Sequence, residues 1–300
     1  MIRNAIVPVA GVGTRLLPAT KSQPKEMLTV ARKPIVQYVA EELILNGIDQ
    51  ILFVTSRNKH SIENHFDSDP ELMRTLQEQK KTELMQELRF EQLNAHYFYT
   101  RQRAPRGLGD AILCGEHFAG EQPFVVALGD SILGLHAQSR TVARMIELFE
   151  SRHASAVVAV EEVPPEEVSQ YGIVAVEGQG SEAMRVVNLV EKPSREAAPS
   201  NLAIAGRYVF SPLIFEMIRG VKPDRRNEIQ LTDAIQQMCE EGRRVLAVRL
   251  PPGEKRYDIG NFPSYFETFI EFALADPTYG AGLRAFLERL LSHSETRAGK

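Results

Sequence analysis

Glycines and cations crowd together near the start of this 300-residue chain. An apolar run at 5–9 leads into Ala10-Gly11-Val12-Gly13, then Thr14-Arg15, with Lys25 a short way on. Glycine lets a backbone approach a phosphate closely with its N–H groups facing it. Arg15 and Lys25 add positive charge, as a site for a polyphosphate requires. Carboxylates follow further along. Asp130 ends the apolar run 124–128, at the C-terminal edge of a central strand, where open α/β sheets bind ligands. Asp258 lies in Lys255-Arg256-Tyr257-Asp258-Ile259-Gly260. Alone, each aspartate reads equally well as a turn former or cap. In Glu191-Lys192-Pro193 the proline ends any regular element, leaving an acid and a base side by side at a loop mouth.

Several chemistries are excluded. A dinucleotide fingerprint needs a glycine at position 16, where Leu16 stands. The acid it needs about 20 positions on is replaced by Val30-Ala31-Arg32-Lys33. No P-loop string occurs, nothing resembles a nucleophilic triad, and His60 and His65 lack zinc-helix spacing. With 35 basic and 39 acidic residues the net charge is −4, which argues against a nucleic-acid partner. That balance leaves an anionic substrate to local cations and metal. Cys114 and Cys239, far apart, read as reduced thiols of a cytoplasmic protein. No run approaches the roughly 18 apolar residues of a membrane span, so no membrane association is expected.

The elements that must position these residues alternate between strand and helix. That pattern gives an α/β fold: a single Rossmann-like, doubly wound mixed sheet, mainly parallel, with helices on both faces and a C-terminal helical arm. Strands are expected at 5–9, 50–55, 96–99, 123–128, 156–161, 172–176, 203–209 and 245–249. Helices are expected at 35–45, 109–117, 261–275 and 281–292. A polar segment at 70–93 favours helix, with Leu72, Leu76, Leu84 and Leu88 at multiples of four. Phe262, Phe266, Phe269 and Ile270 form one apolar stripe. The parse is an α/β domain over 1–260, an arm over 261–293 and a frayed tail over 294–300.

Gly11-Val12-Gly13-Thr14-Arg15 followed by Pro24-Lys25 resembles the nucleotide-binding loop of the sugar-1-phosphate nucleotidylyltransferases. Ala10-Gly11 and Pro24-Lys25-Glu26-Met27 are similar to the bacterial UTP–glucose-1-phosphate uridylyltransferase branch. Other matching strings are Leu128-Gly129-Asp130, Tyr257-Asp258-Ile259-Gly260, Val190-Glu191-Lys192-Pro193 and Tyr171-Gly172. The resemblance runs from about residue 3 to 275, in the family's order. It implies that Asp130 and Asp258 hold Mg²⁺, a chemically sufficient pair once phosphate oxygens and water join them. It implies nucleotide contacts at Ala10, Gly11, Gly13, Thr14 and Glu26, and reading of uracil by Gln102 and Gly107. Gly172 and Glu191 would meet the sugar, and Lys192 its phosphate. Arg15 would steady the β- and γ-phosphates and Lys25 the α-phosphate.

The implied reaction joins UTP and glucose 1-phosphate into UDP-glucose and pyrophosphate, by in-line attack without a covalent enzyme intermediate. A homodimer or homotetramer contacting through C-terminal helices is implied too. Two alternatives stand beside this reading. One is a related transferase using dTTP or another sugar phosphate; the other is a non-catalytic nucleotide-sugar-binding homologue. The chain departs from the family at Ser131, where a second acid often sits, and in the basic residues Arg103 and Arg106 beside the base-reading loop.

Overall fold

Runs rich in β-branched and aromatic residues have nowhere to bury both faces except between layers of helices. The computed structural model describes residues 2–298 apart from 179 and 181, with side chains through 292. Its strands are β1 Asn4–Pro8, β2 Thr29–Val30, β3 Lys33–Pro34, β4 Gln50–Thr55, β5 His96–Arg101, β6 Phe124–Ala127 and β7 Ser131–Leu133. They continue as β8 Ala156–Glu162, β9 Gly172–Glu177, β10 Met184–Glu191, β11 Leu202–Phe210, β12 Val245–Arg249 and β13 Arg256–Asp258. Nine of them form one sheet in the order β5-β4-β1-β6-β11-β8-β12-β10-β9, so the mixed α/β architecture is as expected. Successive residues of β1 face opposite cores: Ala5 and Val7 pack with the helix Ile35–Leu45, and Ile6 with the helices Leu213–Gly220 and Leu231–Glu240.

The sheet is parallel only in part. β5, β4, β1 and β6 run parallel, as do β8 and β12. β11 is antiparallel to β6, β8 and β9, and β10 is antiparallel to β12 and β9. The connection from β9 to β10 is too short for a crossover helix, which forces a hairpin. β10 escaped the sequence reading because a bulge between Val186 and Asn188 breaks its alternation. The segment 70–93 is not one helix. It divides into Pro70–Glu78, Thr82–Glu87 and a 3-10 turn Arg89–Gln92, with Lys80 in the left-handed region at φ 55°. Of its leucines, Leu76 is buried whereas Leu72 and Leu84 are exposed. The helix expected over 109–117 likewise splits, into Leu108–Leu113 and Glu116–Ala119.

At the C-terminal end, Asn261 caps the helix Phe262–Leu274, its Oδ1 accepting from Ser264 N–H at 3.1 Å. Phe272 is fully buried, edge-on to Tyr38 and Tyr257 at 5.2 and 5.0 Å. The face that meets the rest of the chain runs through Phe262, Tyr265, Thr268 and Phe272. The expected stripe is therefore divided: Phe266, Phe269 and Ile270 are exposed at 55%, 36% and 46%. The last helix, Gly280–Ala298, runs into the segment expected to fray; residues 299 and 300 lie outside the described residues. No helix among the described residues is long and apolar enough to cross a membrane.

One buried ion pair locks the centre of the sheet to its covering helix. Arg207 of β11 and Glu42 of the helix Ile35–Leu45 are both wholly inaccessible, with Nη2–Oε2 at 2.6 Å and Nε–Oε1 at 3.0 Å. Arg207 also donates to the carbonyls of Gly206 and Ser131, at 3.0 and 2.9 Å. Removing one partner strands a charge, whereas removing both does not. Arg207→Met should cost about 3–5 kcal/mol in urea unfolding. Adding Glu42→Leu should restore most of that loss.

Candidate active site

The loops that follow β1 and β6 meet at one edge of the sheet around a cleft of about 670 Å³. β1 is carried past its end by Val9, whose N–H donates to Val54 O at 2.9 Å. Gly13 then turns the chain in the left-handed region, at φ 70°, into the 3-10 turn Thr14–Leu16. Thr20 Oγ1 donates to Gly13 O at 2.7 Å and fixes that turn. Lys25, on a second 3-10 turn, packs so closely behind it that a Cβ on Gly13 would come within 3.3 Å of Lys25 Cβ. The Lys25 ammonium is ion-paired with the Asp130 carboxylate. Burial alone would lower the pKa of Lys25; Asp130, Glu26 and Asp258 more than reverse this and raise it.

The ribbon of β7 and β13 brings the two aspartates together. Asp258 pairs opposite Ser131, and Ile259 N–H donates to Asp130 O at 3.2 Å. Burial and the neighbouring Asp130 charge push the Asp258 carboxyl up, against the pull of Arg256, Lys25 and Arg15. For Asp130, burial is outweighed by Lys25 and Arg15, and its pKa falls. Two crowded, mutually repelling carboxylates are hard oxygen donors. They fit a hard divalent cation that takes its remaining ligands from phosphate and water. Among the described residues no group of three metal-ligating side chains exists, so the cation would depend on a bound substrate to complete its shell.

The far end of the cleft is built on β9 and β10, where Gly172 pairs with Glu191. Lys192 holds a left-handed backbone at φ 43°, its N–H donating to Tyr171 O at 3.0 Å and its Nζ 3.1 Å from Glu191 Oε1. Thr232, buried on the cleft wall, has a hydroxyl without a partner. At the opposite end Gln102 Nε2 donates to Gly107 O at 3.1 Å. Gly107, at φ 93°, lies so close to the next segment that a Cβ would come 2.7 Å from the backbone N and O of Ile229. Its missing side chain thus serves chain packing as well as access to the cleft.

Ala10, Gly11, Gly13, Thr14, Lys25, Glu26, Gln102, Gly107, Asp130, Gly172, Glu191, Lys192 and Asp258 all line this one cleft. Arg15 differs: its exposed side chain lies at the rim, against Gly260, within electrostatic reach of both aspartates. The Glu26 carboxylate, 1% exposed, is committed to Lys59 Nζ at 2.6 Å. Lys59 had no sequence signal. The matching strings assign no role to Arg256. It lines the cleft, pairs with Glu161 at 2.7 Å and stacks over the Tyr171 ring at 4.0 Å. Its place beside Asp258 in sequence was the available clue.

The profile of the nucleotidyl transferase family matches residues 4–273. The chain is 43% identical to a UTP–glucose-1-phosphate uridylyltransferase of Bacillus subtilis (strain 168), over 98% of this chain and 99% of that protein. Its fold is similar to that of a UTP-bound UGPase from Acinetobacter baumannii, with a TM-score of 0.86 and 38% identity over 97% of this chain and 100% of the other. A UDP-glucose pyrophosphorylase complexed with UDP-glucose superposes with a TM-score of 0.80, at 38% identity over 91% and 98% of the two chains.

The left-handed backbone at Lys192 costs a non-glycine residue about 1–2 kcal/mol. Lys192→Gly should therefore unfold at higher urea than Lys192→Ala, by about 1 kcal/mol, although both lose the same ammonium. Equal stability would mean that residue 192 carries no backbone strain.

Proposed function

The chain belongs to the nucleotidyl transferase family, and from that premise we propose that it transfers uridylyl from UTP to glucose 1-phosphate, yielding UDP-glucose and pyrophosphate. The observation that carries this reading is that one cleft gathers groups from across the whole sheet. Gln102 follows the edge strand β5, Asp130 follows the central strand β6 with Lys25 paired to it, and Glu191 with Lys192 ends β10 near the other edge. Relatives of the same fold hold UTP and UDP-glucose, the substrate and product of this transfer.

An oxygen of the sugar phosphate attacks the α-phosphorus of UTP. The new P–O bond forms as the bond to the β-phosphate oxygen breaks, and pyrophosphate leaves with that electron pair. No protein nucleophile is needed, because the incoming phosphate already carries the reacting oxygen, so catalysis is positioning and charge neutralisation. Gly11, Gly13 and Thr14 wrap the phosphates, with Ala10 and Glu26 at the nucleotide side. Lys25 exchanges its hold on Asp130 for the α-phosphate. Arg15 reaches from the rim to the β- and γ-phosphates, and Lys192 steers the sugar phosphate while Glu191 and Gly172 meet the hydroxyls. Asp130 and Asp258 would hold a divalent cation, assigned here as Mg²⁺, which supplies neutralisation of the phosphate charge.

Pyrophosphate release measured with UTP, dTTP, CTP and ATP, each against several sugar 1-phosphates, tests the reading. UTP with glucose 1-phosphate should give the highest kcat/KM, and another leading pair would replace it. Asp130→Asn removes charge and almost no volume. It should lower kcat by at least about 100-fold while circular dichroism still shows the native fold.

The domain division is proposed at the same place, residues 1–260 for transfer and 261–293 for assembly into a homodimer or homotetramer. Its support is the exposed apolar face of Phe266, Phe269 and Ile270, continued by Phe286, Leu290 and Leu291. Sedimentation at micromolar concentration should show a species larger than the 33.6 kDa chain. A fully active monomer would refute the assembly. Cytoplasmic residence is proposed on the free, half-buried Cys114 and Cys239.

A further inference from the structure

An amide can offer a ligand either a donor or an acceptor, so a side chain that reads a base must have its amide orientation fixed. At Gln102 the fixing is done through the amide nitrogen. Its Nε2 donates to Asp110 Oδ2 at 2.8 Å and to Gly107 O at 3.1 Å. Both partners only accept, so both amide protons are consumed and the orientation follows from chemistry. Oε1 is the amide atom left to face the cleft. Gln102 and Asp110 are 7% and 6% exposed, which leaves water little room to substitute for a lost partner. The other carboxylate oxygen of Asp110 is taken by Arg106, whose Nε and Nη2 donate to Oδ1 at 3.1 and 2.6 Å. Asp110 thus has one oxygen for the guanidinium and one for the amide.

We infer that Asp110, held by Arg106, is a positioning residue that sets the polarity of Gln102, so that the cleft presents an acceptor to the pairing edge of the base. Uracil and thymine carry N3–H there and donate to it. Cytosine carries a bare N3, and acceptor would face acceptor in a closed site. The relay Arg106–Asp110–Gln102 therefore selects an imide base and rejects cytosine. The inference rests on the reading of this cleft as a site of uridylyl transfer, and it gives work to two residues that this reading leaves without a role.

The test is the ratio of kcat/KM for UTP over CTP. Asp110→Asn keeps the shape of the side chain. Arg106 draws the remaining oxygen to itself and turns Nδ2 towards Gln102 Nε2, donor facing donor, so the amide keeps only its bond to Gly107 O and loses its fixed orientation. The ratio should fall by about tenfold or more. In a Gln102→Ala background the same substitution should leave the ratio unchanged, because Asp110 acts only through that amide. Arg106→Ala, at a side chain 56% exposed and so safe for folding, should lower the ratio by about twofold to fivefold. An unchanged ratio in both single variants overturns the inference, and so does a fall that persists without Gln102. If Asp110→Asn fails to fold by circular dichroism, Arg106→Ala decides alone. Wild-type protein that releases no pyrophosphate from UTP and glucose 1-phosphate overturns the functional reading instead. The binding constants for UTP and CTP then supply the same ratio.

Discussion

Like charges crowded in a buried place must be held there by force, and Asp130 and Asp258 set that problem for the whole molecule. Neither aspartate could remain beside the other on a free loop. The backbone solves it by making them neighbours across a two-stranded ribbon, with Ile259 bonded to the carbonyl of Asp130 itself. The ribbon is in turn fixed from beneath, since Arg207 holds the carbonyl of Ser131 and is anchored by Glu42. A pair of charges with no access to solvent underpins a pair of charges facing a cleft. Lys25 then supplies a cation that makes the arrangement tolerable.

Topology explains why one cleft can serve three kinds of chemical group. Parallel strands β4, β1 and β6 open their C-terminal ends on one side, and loops leaving that edge present backbone amides and cations. β11, β9 and β10 are antiparallel to their neighbours and bring Glu191 to the same side by a different route. The mixed sheet therefore brings a glycine-rich loop and the Glu191-Lys192 corner onto one cleft. An all-parallel sheet would need a crossover helix at each step and would spread those groups much further apart.

Much of this was legible in sequence, for a definite reason. Cleft-lining residues carry their chemistry in short strings, and Gly11-Val12-Gly13-Thr14-Arg15 or Tyr257-Asp258-Ile259-Gly260 can be read without knowing what lies behind them. Strands such as β4 and β12 were equally clear, being apolar runs bounded by polar turns. What escaped was set by partners distant in sequence. Lys59 is an ordinary surface lysine until Glu26 meets it in space, and Arg207 lies in a strand whose other residues are almost all apolar. β10 was hidden by its bulge, and the break at Lys80 depends on a left-handed residue that is not glycine. Arg15 marks the opposite limit. Its motif was plain, yet its side chain stands at the rim rather than on the cleft wall.

The C-terminal helix connects this site to whatever the exposed face meets. Phe272 is the one aromatic of the helix Phe262–Leu274 that is fully buried, and it packs edge-on against Tyr257, the residue next to Asp258. Tyr257 in turn donates its hydroxyl to Glu271 on the same helix, at 3.1 Å. A displacement of the helix cannot leave Tyr257 unmoved, and Tyr257 cannot shift without disturbing the ribbon that pairs Asp258 with Ser131. The opposite face of the helix carries Phe266, Phe269 and Ile270 in contact with solvent in the single chain. Covering those side chains would remove the cost of their hydration and restrain the helix at once. The helix and the ribbon that carries Asp258 thus pack around one buried ring.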